Sequence, residues 1–214
     1  MSLAGEDFRE RVTAAVGAPI DGTLGSRFVA PLVTWLVADA SAGDELADAL
    51  AGTMRALERV GVLRGRQFVL LGGEASVSAE ARARARALRA ILGVPVLVHD
   101  PAREGFVAGT LADGTAIELD DELREAEAIV VVAGGSPEAI AGAVVPGVSC
   151  AGTRAACARA VEQGAVARWA FVRAAEAQAP IDLMVWWDAS GAVSAASGRE
   201  ALARFAQAGS PESA

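Results

Sequence analysis

Five short apolar runs recur along the chain, and each ends at a glycine or an acidic residue. Continuous apolar runs of this length, rich in β-branched residues, are typical of strands that are covered on both faces of a sheet. The pattern therefore predicts five buried core strands, over residues 31–39, 67–73, 95–100, 128–135 and 181–188.

Amphipathic segments fill most of the intervals between these runs. In residues 44–60, Leu46, Leu50, Met54 and Leu57 recur at helical spacing and form one apolar stripe. Thr153 is a candidate cap for a helix that ends near Gln163. The helices predicted in this way cover residues 7–16, 44–60, 78–92, 153–163 and 199–207.

Strands that alternate with helices predict a three-layer, Rossmann-like α/β domain with a mostly parallel sheet. Residues 106–120 alternate in polarity around Asp113-Gly114, which predicts a β-hairpin, followed by a helical turn within residues 120–128. Residues 181–197 read as a second hairpin. We expect these hairpins to add antiparallel pairing at an edge of the sheet.

The chain has 214 residues, which suits one compact domain. We expect residues 28–208 to form the α/β domain and residues 209–214 to be a frayed tail. Residues 1–27 are a glycine-containing N-terminal segment whose structure the pattern does not fix, apart from a short helix.

The net charge of −8 disfavours a nucleic-acid polymer or an anionic membrane as partner, because both require a basic surface. All 19 basic residues are arginine, so the chain has no lysine to form a Schiff base or to carry a cofactor. Without a signal peptide or a long apolar run, a cytoplasmic location is expected, with no membrane association. Cys150 and Cys157 are then expected to be buried thiols rather than a disulfide.

Candidate ligand-binding residues lie where the core strands end, because folds of this class place ligands at the carboxyl ends of their strands. Acidic and hydroxyl side chains there can hydrogen-bond a ligand, and glycines let a ligand approach the backbone N–H groups. Capping of the next helix by the Asp39 loop or by Ser76 is the alternative and is favoured. The candidates are Asp39, Ser41, Gly72, Gly73, Glu74, Ser76, Gly134, Gly135 and Ser136.

His99 is the one histidine and a weak catalytic candidate, because the adjacent Asp100 could orient it as a general base. A structural role at the strand end is favoured over catalysis. One histidine cannot form a zinc or nickel site by itself, so neither a metal nor a cofactor is expected. The arginines of residues 78–92 are spread around their helix, which favours a solvated face over a phosphate clamp: Arg82, Arg84, Arg86 and Arg89.

The order of these segments resembles the N-terminal domain of the nickel-dependent lactate racemase (LarA-like) family, over about residues 30–207. Residues 33–50 resemble the family's first strand and its Asp-His-Thr-Arg-Pro loop, with Asp39 retained, Ser41 in place of Thr, and Ala40 and Ala42 in place of His and Arg. Residues 68–81 resemble its Ala-Thr-Gly-x-His-Arg segment, with Glu74 and Ala75 in the His-Arg positions. Residues 109–134 give the closest match.

The resemblance also implies a loss of chemistry. The family continues into a catalytic His and an Ala-Gly-Phe-Ser-Gly-Gly-x-Lys loop, whose lysine carries the nickel-pincer nucleotide, and then a Leu-Pro-Gly-Val turn. In this chain Ala141-Gly142 leads almost directly into the Val-Pro-Gly-Val turn of residues 145–148, and Ser136-Pro137-Glu138 replaces the histidine segment. The resemblance therefore implies the racemase scaffold without nickel-pincer catalysis.

Three functions remain open at this point. The first is binding of a small anionic metabolite or nucleotide at the strand ends. The second is a non-enzymatic interaction or scaffold protein, either a homodimer or a partner of a full-length racemase-like enzyme, with tryptophans at the interface. The third is an altered enzyme that uses His99 with Asp100 or Glu74. The candidate interface residues are Trp35, Trp169 and either Trp186 or Trp187.

Overall fold

The computed structural model describes residues 3–22, 24, 28, 32–73, 76–163 and 168–208. Its strands are β1 Thr34–Asp39, β2 Gln67–Gly72, β3 Val96–Val98, β4 Gly105–Thr110, β5 Ala116–Asp120, β6 Ala128–Gly134, β7 Leu183–Trp187 and β8 Val193–Ala196. Its helices are α1 Leu3–Gly17, α2 Leu46–Arg59, α3 Ala79–Leu92, α4 Pro137–Val144, α5 Ala151–Glu162, α6 Arg168–Ala175 and α7 Gly198–Ala208. Short 3₁₀ turns cover Arg64–Arg66 and Asp121–Leu123.

Six strands form one twisted sheet in the order β3-β2-β1-β6-β7-β8. Strands β3, β2, β1, β6 and β7 pair in parallel, and β8 pairs antiparallel with β7. The chain runs outward from β1 to β2 and β3 and then returns to β6 on the other side of β1. The strand order therefore reverses between β1 and β6, where open α/β sheets bind ligands beyond the strand ends.

Helices cover both faces of this sheet, which confirms the predicted three-layer, Rossmann-like α/β fold. On one face, α1, α2 and α3 share an apolar core with the sheet, and α1 contributes Phe8, Val12 and Val16. On the other face, side chains from α4, α6 and the β4–β5 hairpin form a second core, which includes Ile140 and Phe171. All five predicted strands are present, and β1, β2, β6 and β7 are largely buried, as apolar runs without alternation suggest. Strand β3 is not a buried core strand, because it lies at the edge of the sheet, where Leu97 is 38% exposed.

The structure differs from the sequence-based expectations at three places. The β4–β5 hairpin forms a separate two-stranded sheet and does not extend an edge of the main sheet, whereas β8 does. Helix α5 begins at Ala151 with Cys150 at its N-cap, so Thr153 does not cap it. The Thr153 hydroxyl instead accepts a hydrogen bond from the Glu118 N–H at 2.8 Å. Helices α4 and α6 were not predicted.

Both cysteines are buried and form no disulfide with each other, as predicted. Three of the four tryptophans, Trp35, Trp169 and Trp187, are also buried. Of the candidate interface residues, only Trp186 is partly exposed, so the proposed tryptophan interface stays a prediction with less support from the other three. Within the described ranges, no helix is both long and apolar enough to cross a bilayer.

Candidate functional site

A concave site lies beyond the carboxyl end of β1, next to the reversal of strand order, between the loops that follow β1 and β2 and helix α4. It encloses about 390 Å³, a volume in the range of small-molecule sites. We call it the switch-point crevice. The described residues that line it are Asp39, Ser41, Gly73, Ala139, Gly142, Pro146 and Arg168.

The loop after β1 brings an acid and a hydroxyl to this crevice in a fixed arrangement. The Asp39 Oδ1 atom accepts hydrogen bonds from the Ser41 N–H and from the Ser41 hydroxyl, both at 2.7 Å. This is a local turn of the Asx type, and α2 has Glu45 rather than Asp39 or Ser41 at its N-cap. The helix-capping alternative for this loop is therefore wrong, and the Asp39 Oδ2 atom has no hydrogen-bond partner within the described residues.

An arginine of α3 holds the same loop from outside. Arg84 donates hydrogen bonds to the Ala40 carbonyl at 3.2 Å and to the Gly43 carbonyl at 2.5 Å. Its neighbours Arg82, Arg86 and Arg89 are exposed, as the solvated-face interpretation predicted. The crevice wall at Asp39 is thus fixed by backbone contacts that do not depend on a ligand.

The opposite wall presents a guanidinium. Arg168 is half-buried at the start of α6, and its Nη1 atom lies 3.4 Å from the position that a Cβ on Gly142 would occupy. No hydrogen bond or ion pair satisfies Arg168 within the described part of the chain, and Asp39 does not pair with it. Arginine offers a planar fork of N–H donors that suits carboxylates and phosphates.

Gly73, the second of the two glycines at the end of β2, lines the crevice, but its N–H group is not free. The Gly73 N–H donates to the Gly147 carbonyl at 3.0 Å. Gly73 has φ +107°, and a Cβ there would lie 2.5 Å from the Asp39 Oδ1 atom. Gly72 packs as tightly, since a Cβ there would lie 2.5 Å from the Gly147 carbonyl oxygen.

Ser76 is not among the residues that line this crevice. Ser76 is fully buried, and its Oγ atom has no hydrogen-bond partner in the described structure. Ser78 rather than Ser76 caps α3, and its hydroxyl accepts the Ala81 N–H. Glu74 lies outside the described residues.

The end of β6 faces a different cavity. The Gly135 N–H donates to the Trp187 carbonyl at 2.9 Å. Ser136 caps α4 by accepting the Ala139 N–H at 3.3 Å. Gly134 is the β6 partner of Trp187 in the sheet, and Gly135 lines a cavity beside that tryptophan. These three residues therefore do not converge with Asp39 on the switch-point crevice.

His99 is a structural residue in this fold. It is 1% exposed, with its Nδ1 atom 2.5 Å from the Asp120 Oδ2 atom and its Nε2 atom 2.8 Å from the Ser149 carbonyl oxygen. Asp100 is not its partner and instead accepts the Ala102 N–H. Because both ring nitrogens are engaged and the ring lines none of the described cavities, His99 is not the base of an altered enzyme at this crevice.

Asp120 connects the β4–β5 hairpin to the main sheet through this histidine. Burial alone would raise the pKa of the Asp120 carboxyl, but hydrogen bonds from His99 and from the Glu122 N–H outweigh it and hold the pKa below its usual value. The carboxylate is therefore ionised at neutral pH and accepts a hydrogen bond from the ring Nδ1–H. Arg154 adds a hydrogen bond from its Nε to the Ser149 carbonyl at 2.9 Å.

Sequence reasoning missed Arg168 in the crevice and Asp120 beside His99. Arg168 begins a short helix without a regular apolar stripe, and nothing local in the sequence indicates its position. Asp120 is an acidic residue at the end of a strand of alternating polarity, and this position alone could have marked it as a candidate. Its pairing with His99 depends on tertiary structure.

Comparison with known structures supports a fold relationship to lactate racemase. The chain is similar to the structure of the lactate racemase apoprotein from Thermoanaerobacterium thermosaccharolyticum, with a TM-score of 0.69 and 12% sequence identity. The match covers 94% of this chain and 54% of that one, so the chain spans about half the length of the racemase. No family model and no curated protein matches the sequence. The resemblance predicted from the motifs is thus confirmed for the fold.

Proposed function

We propose that the protein is a lactate racemase N-terminal-domain-like protein that binds a small hydroxylated anion in the switch-point crevice, without nickel-pincer racemase activity. The single observation that carries the binding proposal is the half-buried guanidinium of Arg168, which lacks a partner within the described residues and faces the crevice. An anionic metabolite or nucleotide can accept hydrogen bonds from this guanidinium, because two oxygens of a carboxylate or phosphate match the spacing of its N–H donors.

The opposite wall supports a ligand that also carries a hydroxyl. The Asp39 Oδ1 atom is occupied by Ser41, whereas Oδ2 remains available as an acceptor. A ligand hydroxyl can donate to this atom while the anionic group lies against Arg168. A ligand with only an anionic group would leave Asp39 as an unpaired acceptor near a second negative charge, which is unfavourable.

The residues present do not fit the nickel-pincer nucleotide. The chain has no lysine to carry it, and both nitrogens of its one histidine are engaged with Asp120 and Ser149. Native mass spectrometry with metal analysis tests this directly: we expect the unmodified mass without nickel, and a stoichiometric nickel or nucleotide adduct would overturn it.

Calorimetric titration tests the binding proposal with four probes: lactate, malate, ribose 5-phosphate and adenosine monophosphate. We expect at least one to bind saturably to the wild-type protein. Arg168→Gln should weaken that binding by about tenfold or more, because a hydrogen bond to a charged group is worth about 1.5–3 kcal/mol. Arg82→Gln, at an exposed position of α3, is the matched control and should leave it unchanged.

Two results would contradict the binding proposal. One is the absence of saturable binding for every probe, and the other is an equal affinity of the Arg168→Gln and Arg82→Gln variants. An interaction or scaffold protein is then the remaining candidate function. Burial of Trp35, Trp169 and Trp187 gives that alternative less support, because hot spots of interfaces are commonly exposed aromatic residues.

A further inference from the structure

A second cavity, of about 600 Å³, lies beside the carboxyl ends of β6 and β7. We call it the carboxylate cavity, because acidic side chains from α2 and from the β7–β8 turn line it. Its apolar wall is formed by Phe8 and Trp187, whose ring centroids lie 5.8 Å apart in an edge-to-face arrangement. The charged residues that line it are Arg11, Asp44, Glu45, Asp48 and Asp188.

Trp187 offers this cavity an unused hydrogen-bond donor. The residue is 7% exposed, and its indole N–H has no partner among the described residues. The Nε1 atom is not among the unpaired polar atoms that are sealed from solvent, and the residue lines this cavity. Gly134 fixes the ring from behind, since a Cβ there would lie 2.6 Å from Nε1.

Two of the carboxylates are held in place with one oxygen unused. The Asp188 Oδ1 atom accepts from the Ser190 N–H at 2.8 Å, the Ser190 hydroxyl at 2.5 Å and the Ala192 N–H at 3.1 Å. The Asp48 Oδ1 atom accepts two hydrogen bonds from Arg9. Within the described residues, no donor satisfies either Oδ2 atom.

The charge of the lining selects for cations. Four carboxylates face one guanidinium in this cavity, and that guanidinium already lies 3.5 Å from Asp7 and over the Phe8 ring. The hydrogen bonds from Ser190 and from the Ala192 N–H hold the pKa of Asp188 below its usual value, so this carboxylate stays charged at neutral pH. An anionic ligand would be repelled, and a purely apolar one would leave the indole N–H unpaired.

We propose that the carboxylate cavity binds a small hydroxylated amine, a class of ligand that neither the racemase fold nor the switch-point crevice implies. Its ammonium group lies against the Asp48 and Asp188 carboxylates, and one of its oxygens accepts the Trp187 N–H. Its carbon skeleton packs against the Phe8 ring. The ammonium group and the oxygen of such a ligand satisfy polar atoms that lack a partner within the described residues.

Glucosamine is a suitable probe, and N-acetylglucosamine is its neutral control with the same ring hydroxyls. The readout is the indole resonance of Trp187 in ¹⁵N-labelled protein, which the Trp187→Phe variant assigns. We expect glucosamine to shift this resonance saturably and N-acetylglucosamine to leave it in place. Absence of a saturable shift with glucosamine, or equal shifts with both sugars, would overturn the proposal.

Asp188→Asn tests the carboxylate, because asparagine keeps the Oδ1 acceptor of the turn and removes only the charge. We expect it to weaken glucosamine binding by about tenfold. Asp113→Asn is the matched control: Asp113 is also exposed, and it accepts the Thr115 N–H in a similar turn far along the chain. Equal affinities of Asp188→Asn and Asp113→Asn for glucosamine would refute the site. The Arg168→Gln variant should bind glucosamine as tightly as the wild type, because Arg168 lines the other cavity.

Discussion

Truncating Asp120 to alanine should destabilise the fold more than most single substitutions in this chain. The substitution removes the acceptor of the His99 Nδ1–H at 2.5 Å and of the Glu122 N–H at 3.1 Å. His99 would remain at 1% exposure, with its Nε2 still bonded to Ser149 and its Nδ1 without a partner. A buried polar group that loses its partner carries the full cost of its desolvation.

The expected magnitude follows from how deeply the pair is buried. Removing one partner of a fully buried ion pair costs about 3–5 kcal/mol. The Asp120 side chain is 9% exposed and borders an open pocket of about 210 Å³, so water can partly replace it. We therefore expect a loss of about 2–4 kcal/mol for Asp120→Ala, which lowers the melting temperature by roughly 4–16 °C in a chain of this length.

Asp120→Asn separates the hydrogen bonds from the charge. The asparagine oxygen can accept the Glu122 N–H, and its amide can donate to the His99 Nδ1 when the ring proton resides on Nε2. We expect this variant to lose about 1 kcal/mol or less, in line with a hydrogen bond retained between neutral groups. Urea unfolding followed by tryptophan fluorescence measures both variants against the wild type.

Two outcomes would refute this reasoning. If Asp120→Ala loses less than about 1 kcal/mol, the His99–Asp120–Ser149 chain contributes little to the connection between the hairpin and the sheet. If Asp120→Asn loses as much as Asp120→Ala, the stabilisation comes from the charge rather than from the hydrogen bonds.

Three further outcomes are expected. First, the pKa of Asp120 is lower in the folded state than in the unfolded chain. Its charge therefore contributes to the free energy of unfolding above the unfolded pKa of about 3.9, and this contribution is lost as pH falls through the folded pKa. In urea unfolding at a series of acidic pH values, the stability of the wild type should approach that of Asp120→Asn. Second, Gly73→Ala, where a Cβ would lie 2.5 Å from the Asp39 Oδ1 atom, should destabilise more than Gly114→Ala, where φ is also positive but the space is open; equal melting temperatures would exclude this contact. Third, burial, with the nearby Glu118 and Asp120 carboxylates, raises the pKa of the Cys150 thiol, and Cys157 is 1% exposed. Iodoacetamide at neutral pH should therefore label both cysteines only after unfolding, as read by mass spectrometry.

The strands could be predicted from the sequence because their signal is local. Each core strand is an apolar run that ends at a glycine or an acid, and the observed strands fall inside the predicted segments. Helices α4 and α6 gave no comparable signal. Helix α4 has the sequence PEAIAGAV. Its residues are apolar or glycine apart from one glutamate, so there is no polar face to reveal the helical period.

The candidate site was predictable only in part, for a similar reason. Asp39 and Ser41 lie at the end of a core strand, and this position in the sequence was enough to predict that they line the crevice. Arg168 reaches the same crevice from α6, through packing that no local pattern encodes. The glycines after β2 and β6 were correctly expected at strand ends, but their N–H groups bond to Gly147 and Trp187, which depends on segments distant in sequence.

Two arginines hold the loops around the switch-point crevice through backbone carbonyls rather than through side chains. Arg84 bonds to the carbonyls of Ala40 and Gly43, and Arg154 bonds to those of Gly147 and Ser149. Every residue type has a carbonyl, so these four contacts do not require particular side chains, except at positions such as Gly147, where a Cβ would clash. Mutations in the loops can therefore accumulate and alter what the crevice recognises while its framework persists, which makes this region open to evolutionary change of specificity.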